Sequence, residues 1–239
     1  METFSRSKDA LGKKAFELIA RMKIAIFGVG GVGSWAAEAL VRTGATNITI
    51  VDFDTIAPSN VNRQSHATEK TIGMKKVNAL AARLKEINSK ARINAICERF
   101  PSPAITLCEF DFIIDAIDSV KDKAELIISA RQANIPIVSS MGAALRFDPT
   151  KVSVKAFKKI EGDALAKALR REFRLREFYD RSFACAVSSE IPVKRETRAS
   201  LMTVTAAFGM ALASEAINYA VANSDRINSE SATRQFGVL

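Results

Sequence analysis

The chain has 239 residues, with 35 Lys and Arg against 26 Asp and Glu, a formal net charge of +9. That length supports one large domain with a full core, and 48% apolar with 26% charged residues excludes global disorder. Three cysteines (Cys97, Cys108 and Cys185) with no Cys-x-x-Cys pair exclude a disulfide framework and a tetrahedral zinc site; the single histidine, His66, excludes a His-rich metal centre and disfavours a Ser-His-Asp triad.

Residues 1–23 are polar and charged. They lack the apolar run of a signal peptide and predict an N-terminal helical arm. Ile24–Phe27 predicts a buried strand, Ser34–Thr43 a helix stopped by Gly44, and Ile48–Val51 a second strand. A helix is predicted over Met74–Ile87, with Val77, Leu80, Ala81, Leu84 and Ile87 on one face. Strands follow at Ile93–Ile96 and Phe112–Ile114, then a helix over Lys121–Ala133 and a strand over Ile137–Ser140. Alternation of this kind means an α/β fold, Rossmann-like and doubly wound, on a mostly parallel sheet. Past Asp148-Pro149 a smaller α+β extension is predicted. It has a strand Val152–Phe157, a charged helix Asp163–Tyr179, a strand Val187–Val193 and an apolar helix Leu201–Val221. That last helix is interrupted by Thr203, Thr205, Ser214, Glu215 and Asn218, so it reads as a core helix rather than a membrane span, which wants roughly 20 apolar residues. The predicted organisation is an arm at 1–23, a Rossmann-like domain at 24–150, a basic substrate-binding or dimerisation segment at 151–222 packed on that domain, and a flexible tail at 223–239.

Gly28-Val29-Gly30-Gly31-Val32-Gly33 joins the first strand to the first long helix. This is a G-x-G-x-x-G loop: tight turn, close approach of backbone to phosphate, close packing of helix on strand. Asp52 ends the second strand, at the spacing of a carboxylate that takes ribose hydroxyls. At this point the nucleotide is open, NAD included. Asp52-Phe53-Asp54 then leads into Pro58-Ser59-Asn60-Val61-Asn62-Arg63-Gln64, a polar loop where a dehydrogenase would continue its helix–strand rhythm. Lys75 and Lys76 begin the next helix, against the helix dipole, which asks for an anion nearby. Arg63 and Lys76 offer a guanidinium fork and a point charge to a triphosphate. Asp115 and Asp118 close the Phe112–Ile114 strand at the end where ligands bind in such sheets, and a carboxylate there suits Mg²⁺ beside a triphosphate.

The Gly28–Gly33 loop, Asp52-x-Asp54, Ser59-Asn60-x-Asn62-Arg63-Gln64, Gly73-x-x-Lys76 and Asp115-Ala116-Ile117-Asp118-Ser119 together resemble the adenylating family of ubiquitin-activating enzymes and the bacterial activators of sulfur carriers. The resemblance implies ATP and Mg²⁺, joining of a carboxylate to AMP and release of pyrophosphate. It implies phosphate and magnesium contacts at Arg63, Lys76 and Asp118, and a nucleotide-binding set of Gly28, Gly30, Gly31, Gly33, Asp52, Asp54, Asn60, Gln64 and Ser119. Within the family the chain looks most like the branch that dehydrates threonylcarbamoyladenosine in tRNA. Gly30–Gly44, Asn62–Thr68, Asp115–Val120 with Lys123, Met141-Gly142-Ala143 with Asp148-Pro149-Thr150, and Asp163–Lys167 carry that likeness. In that branch the threonyl carboxylate is adenylated and the adjacent carbamoyl group closes a ring, expelling AMP. The alternative is activation of the C-terminal carboxylate of a ubiquitin-like sulfur carrier; those activators usually carry two Cys-x-x-Cys pairs that this chain lacks. A third reading is a non-catalytic or NAD-linked nucleotide binder.

Arg6 aligns with an N-terminal Arg that the family delivers to the partner subunit's ATP, which implies a catalytic role and a homodimer; otherwise it is a surface residue. Cys185 matches a Cys context in dehydratases served by a cysteine desulfurase, while its own surroundings read as a small apolar residue on a strand. Cys97 and Cys108 read as structural, and His66 as a loop hydrogen-bonder. Residues 151–198 hold 13 Lys and Arg against 7 Asp and Glu, net +6. Lys167, Arg170, Arg171 and Arg174 recur at helical spacing and are predicted to form a tRNA-binding face, with Ala164, Leu165, Ala168, Leu169 and Phe173 on the packing side. The predicted setting is cytoplasmic, with no stable membrane insertion.

Overall fold

The structure, a computed structural model, describes residues 3–193, 195–196 and 199–224. Two short helices, α1 (Ser5–Leu11) and α2 (Lys13–Arg21), form the N-terminal arm, hinged at Gly12. Then follow β1 (Lys23–Phe27), α3 (Gly33–Thr43), β2 (Asn47–Val51), α4 (Lys76–Ile87), β3 (Arg92–Ile96), β4 (Phe112–Asp115), α5 (Val120–Gln132) and β5 (Ile137–Ser140). The chain continues through β6 (Val152–Ala156), α6 (Ala164–Leu175), β7 (Ala184–Ser188) and α7 (Met202–Asn223). All seven strands form one sheet in the order β3-β2-β1-β4-β5-β7-β6. Every pairing is parallel except β6 with β7.

Strand periodicity feeds two cores. In β1, Ile24 and Ile26 face a cluster with α2, α3, α4 and α7, while Ala25 and Phe27 face a second cluster with α5 and α6. A strand buried on both faces needs a continuous apolar run, which is why Ile24–Phe27 was legible without alternation. At α7, a Cβ on Gly209 would lie 2.6 Å from the Val32 carbonyl oxygen, so glycine there lets α7 close onto the N-terminus of α3. The 22 residues of α7 are long and apolar enough to cross a membrane by length and composition. Val204, Phe208, Leu212, Ala213, Ala216 and Ala220 are nonetheless buried in the protein core, as predicted for a core helix.

Several boundaries differ from expectation. Helix α4 begins at Lys76, not Met74, because Gly73 takes φ +87° and Lys75 is extended and bridges to Thr55. Helix α6 stops at Leu175, not Tyr179, where Glu177 turns into the left-handed region at φ +54°. Strand β7 occupies Ala184–Ser188, not Val187–Val193, because Cys185 and Ala186 pair with both β5 and β6. Glu190 instead accepts hydrogen bonds from the Phe147 and Asp148 amides. The expected flexible tail lies outside the described residues, apart from the end of α7 and Ser224.

Candidate functional site

The C-terminal ends of β1, β2 and β4 converge around the glycine loop. Gly28 sits at φ +81°, and a Cβ there would meet the Ala116 oxygen at 2.7 Å. A Cβ on Gly33 would lie 1.9 Å from the Gly28 oxygen, so the strand-to-helix turn closes only with glycine. Asp52 receives the Val29 amide at 2.9 Å on Oδ2 and the Asp54 amide at 2.9 Å on Oδ1, which ties β2 to the loop. Burial pushes the Asp52 carboxyl above its ordinary value, against the opposing pull of Lys76. The buried Lys76 Nζ lies 2.6 Å from Asp54 Oδ2 and 4.0 Å from Asp52 Oδ1.

The polar loop lies over this turn. A Cβ on Gly31 would touch the Arg63 Cγ and Cδ at 3.2 Å, and the Gln64 Nε2 would be 3.7 Å from one on Gly30. Arg63 Nη1 donates to the Ser59 oxygen at 2.7 Å and to Asn62 Oδ1 at 3.0 Å. Asn60 Oδ1 accepts from the Ala57 amide and shapes the turn. Two contacts that sequence reasoning missed fasten the loop to α3: Trp35 Nε1 donates to the Arg63 oxygen at 2.8 Å, and the Ser65 amide donates to Ser34 Oγ at 3.1 Å. Gln64 is 5% exposed, and its buried Oε1 has no hydrogen-bond partner. A buried amide oxygen with nothing to accept costs about 1–3 kcal/mol, so a ligand bearing donors beside Gly30 suits it.

At the end of β4 the two aspartates part. Asp115 is fully buried: Oδ2 lies 2.6 Å from both Lys123 Nζ and Ser139 Oγ, and Oδ1 accepts from the Ile117 amide. It is therefore a structural group rather than one facing a ligand, which corrects the expectation of two available carboxylates. Its partner had a signal in the sequence: Lys123 occupies a position on α5 that the run Lys123, Leu126, Ile127, Ala130 reserves for the core. Asp118 is exposed with no hydrogen bond or ion pair to any described residue, and Ser119 is the N-cap residue of α5. No group of three or more His, Cys, Asp or Glu poised for a metal occurs among the described residues. A single carboxylate suits Mg²⁺, which is commonly held by one or two carboxylates together with substrate phosphates and water.

Arg6 is exposed on α1. On α6, Lys167, Arg171 and Arg174 are exposed, whereas Arg170 folds inward: its guanidinium carbon lies 5.1 Å from the Phe157 ring centroid, and Nη2 donates to the Ile160 oxygen. Ala166, Leu169 and Phe173 form the buried face, and Ala164 is exposed rather than packed. His66 is 2% exposed and neither ring nitrogen has a hydrogen-bond partner, contrary to its expected role; burial, with Lys76 and Arg83 nearby, lowers its pKa to about 4. Cys185 is fully buried, and burial pushes its thiol well above the ordinary range, so no thiolate is offered to a sulfur donor. Cys97 and Cys108, read as structural, are exposed.

The ThiF family profile matches residues 4–237. The tRNA threonylcarbamoyladenosine dehydratase of Escherichia coli is 38% identical over 177 residues, covering 72% of this chain and 66% of that protein. The Bacillus subtilis enzyme of the same name is 36% identical over 198 residues, covering 81% and 77%. The crystal structure of the E. coli tRNA N6-threonylcarbamoyladenosine dehydratase in complex with ATP superposes with a TM-score of 0.88 at 34% identity, covering 94% of this chain and 96% of that one.

Proposed function

Because this chain belongs to the ThiF family, we propose that it is an ATP-dependent tRNA threonylcarbamoyladenosine dehydratase. The observation that carries the reading is the joint placement of Arg63 on Gly31, the unmet Gln64 oxygen beside Gly30, and Lys76 at the Asp52–Asp54 carboxylates, all around one glycine loop. The likeness to a dehydratase solved with ATP supports the nucleotide, and the names of the relatives support the substrate.

The threonyl carboxylate of the modified adenosine attacks the α-phosphorus of ATP. Pyrophosphate leaves and an acyl-adenylate forms. The carbamoyl group then attacks the acyl carbon and AMP departs with its oxygen, so ATP drives net loss of water. Arg63 and Lys76 are placed to neutralise phosphate charge; Lys76 exchanges Asp54 for a phosphate oxygen when ATP binds. Asp52 orients the ribose, and Asn60 and Ser119 complete the nucleotide contacts. Asp118 would hold Mg²⁺, which would screen the negative charge gathered on the phosphates. Lys167, Arg171 and Arg174 contact tRNA phosphates. Arg6 serves the nucleotide of a second copy in a homodimer. A sulfur-transfer partner would have to use Cys97 or Cys108, since Cys185 is enclosed. The three free thiols and the tRNA substrate support a cytoplasmic setting.

The test is product analysis with ATP and tRNA carrying threonylcarbamoyladenosine. AMP, pyrophosphate and a tRNA nucleoside lighter by one water are expected. ADP and phosphate would overturn adenylation. AMP formation triggered by a ubiquitin-like carrier, and not by tRNA, would shift the assignment to the sulfur-carrier reading.

A further inference from the structure

Strand β6 is the edge of the sheet, and its exposed Lys155 is followed by exposed Lys158 and Lys159 on the turn Phe157–Lys159. Phe157 and Ile160, on either side of those two lysines, are buried. The inward-folded Arg170 of α6 stacks on Phe157 and donates to the Ile160 oxygen, with the Phe157 oxygen also 3.4 Å from Nη2. One guanidinium therefore fastens the lysine turn to the helix that carries Lys167, Arg171 and Arg174. One nitrogen, Nη2, faces both carbonyls while the guanidinium plane covers the ring, a stacking that an ammonium does not reproduce. Beside the turn lies a recess of about 190 Å³, lined by Lys155, Lys159, Glu161, Ser188 and Ser189 among others.

Two features link this surface to the reaction. Asp163, the N-cap of α6, accepts from the Ala166 amide at 2.9 Å and from the Gly142 amide at 3.2 Å, two residues beyond the C-terminal end of β5. Helix α6 thus starts at the end of the sheet where the nucleotide loop opens, whereas the Phe157 amide, donating to the Phe183 oxygen just before β7, places the start of the lysine turn toward the opposite end. It also holds cations crowded against one another: burial, then the charges of Arg170 and Arg174, push the Arg181 guanidinium below its ordinary value, against the pull of Asp180. A polyanion laid across such a surface relieves that repulsion.

We propose that the phosphate backbone of tRNA docks on a composite surface made of Lys155, Lys158 and Lys159 together with Lys167, Arg171 and Arg174, joined by Arg170 as a positioning residue. The proposal rests on tRNA being the substrate. It extends the docking face from one helix to the sheet edge and removes Arg170 from direct contact.

The experiment measures binding of fluorescently labelled tRNA against salt concentration. It compares the wild type, the triple variant Lys155→Gln/Lys158→Gln/Lys159→Gln, Arg170→Lys, and a charge-matched control, Lys85→Gln/Lys90→Gln/Arg92→Gln, at the opposite sheet edge. Lost phosphate contacts release fewer counterions, so the triple variant should bind at least about tenfold more weakly at moderate salt, with the salt slope reduced by about 2–3. Arg170→Lys keeps the charge and should still weaken binding several-fold, with ATP affinity unchanged. The control should stay within about twofold of the wild type. Equal binding by the wild type and the β6 triple variant overturns the surface. An equal loss in the control also overturns it, by reducing the effect to net charge. Wild-type affinity in Arg170→Lys overturns the clamp. If the wild type binds no tRNA but forms AMP with a carrier protein, the functional reading fails instead.

Discussion

Gly33 leaves no volume for a side chain, since a methyl group there would sit 1.9 Å from the Gly28 oxygen. Gly33→Ala should destabilise the protein by about 3 kcal/mol or more, the upper range for overpacking, and abolish ATP binding; a thermal melt and a nucleotide titration check both. Asp118→Ala has the opposite profile. The side chain is exposed and unpartnered, so stability should hold while AMP formation falls on the order of 10²–10³. Near-normal turnover would place the magnesium ligand elsewhere. His66 gives a pH signature. Its pKa falls from 6.5 to about 4 on folding, so between those values the unfolded chain binds more protons than the folded one. Stability therefore rises with pH through that window, is flat above it, and loses about 3 kcal/mol in full at lower pH. His66→Gln should flatten the melting temperature between pH 4 and 6.5; an unchanged slope would assign the pH dependence to other groups. The placement of the glycines, and of Arg63 against them, was readable because it follows from spacing along the chain. The isolation of the His66 ring was not, because it depends on neighbours from α4.

Helix α5 owes its placement to a buried charge as much as to its apolar face. Lys123, Asp115 and Ser139 meet without solvent, and each charge is tolerable only while the others are present. Lys123→Met should cost about 3–5 kcal/mol by leaving the Asp115 carboxylate uncompensated, read as a lowered denaturation midpoint. Asp115→Asn in the same chain should recover part of the loss. A single variant as stable as the wild type would show that the buried pair does not hold α5 in place. The elements around this triad were predicted within a residue or two from their apolar runs. The misplaced ones, β7 and the end of α6, lie where strand pairing and a left-handed residue decide, and neither leaves a periodic mark.

For the whole molecule, the prediction concerns two copies. If Arg6 acts on the neighbouring nucleotide, mixing Arg6→Ala with Asp118→Ala subunits gives one hybrid site with both residues intact. Such mixtures should regain partial activity, up to about a quarter of wild type for random pairing in which one site of each heterodimer works. Mixtures that stay inactive while heterodimers form, seen by mass spectrometry of the native assembly, would remove the trans role. Arg6 stands exposed on an arm helix with no buried residue of its own, so a partner surface is available to it.

The sequence by itself determined the alternating α/β order, the glycine loop and the charged side chains that the structure gathers around it. These rest on short-range facts: strand and helix periods, the sterics of glycine, and charge types at fixed spacing. It also sufficed for the resemblance to adenylating enzymes, which the comparisons bear out. Only the tertiary structure separated Asp115 from Asp118, turned Arg170 away from solvent, enclosed Cys185 and exposed Cys97 and Cys108. Each of those outcomes depends on which distant element covers the residue: β5 over Asp115, the turn after β6 under Arg170, the two flanking strands around Cys185. Burial is a property of pairs of elements far apart in the chain, and a linear pattern records only the half of each pair that it contains.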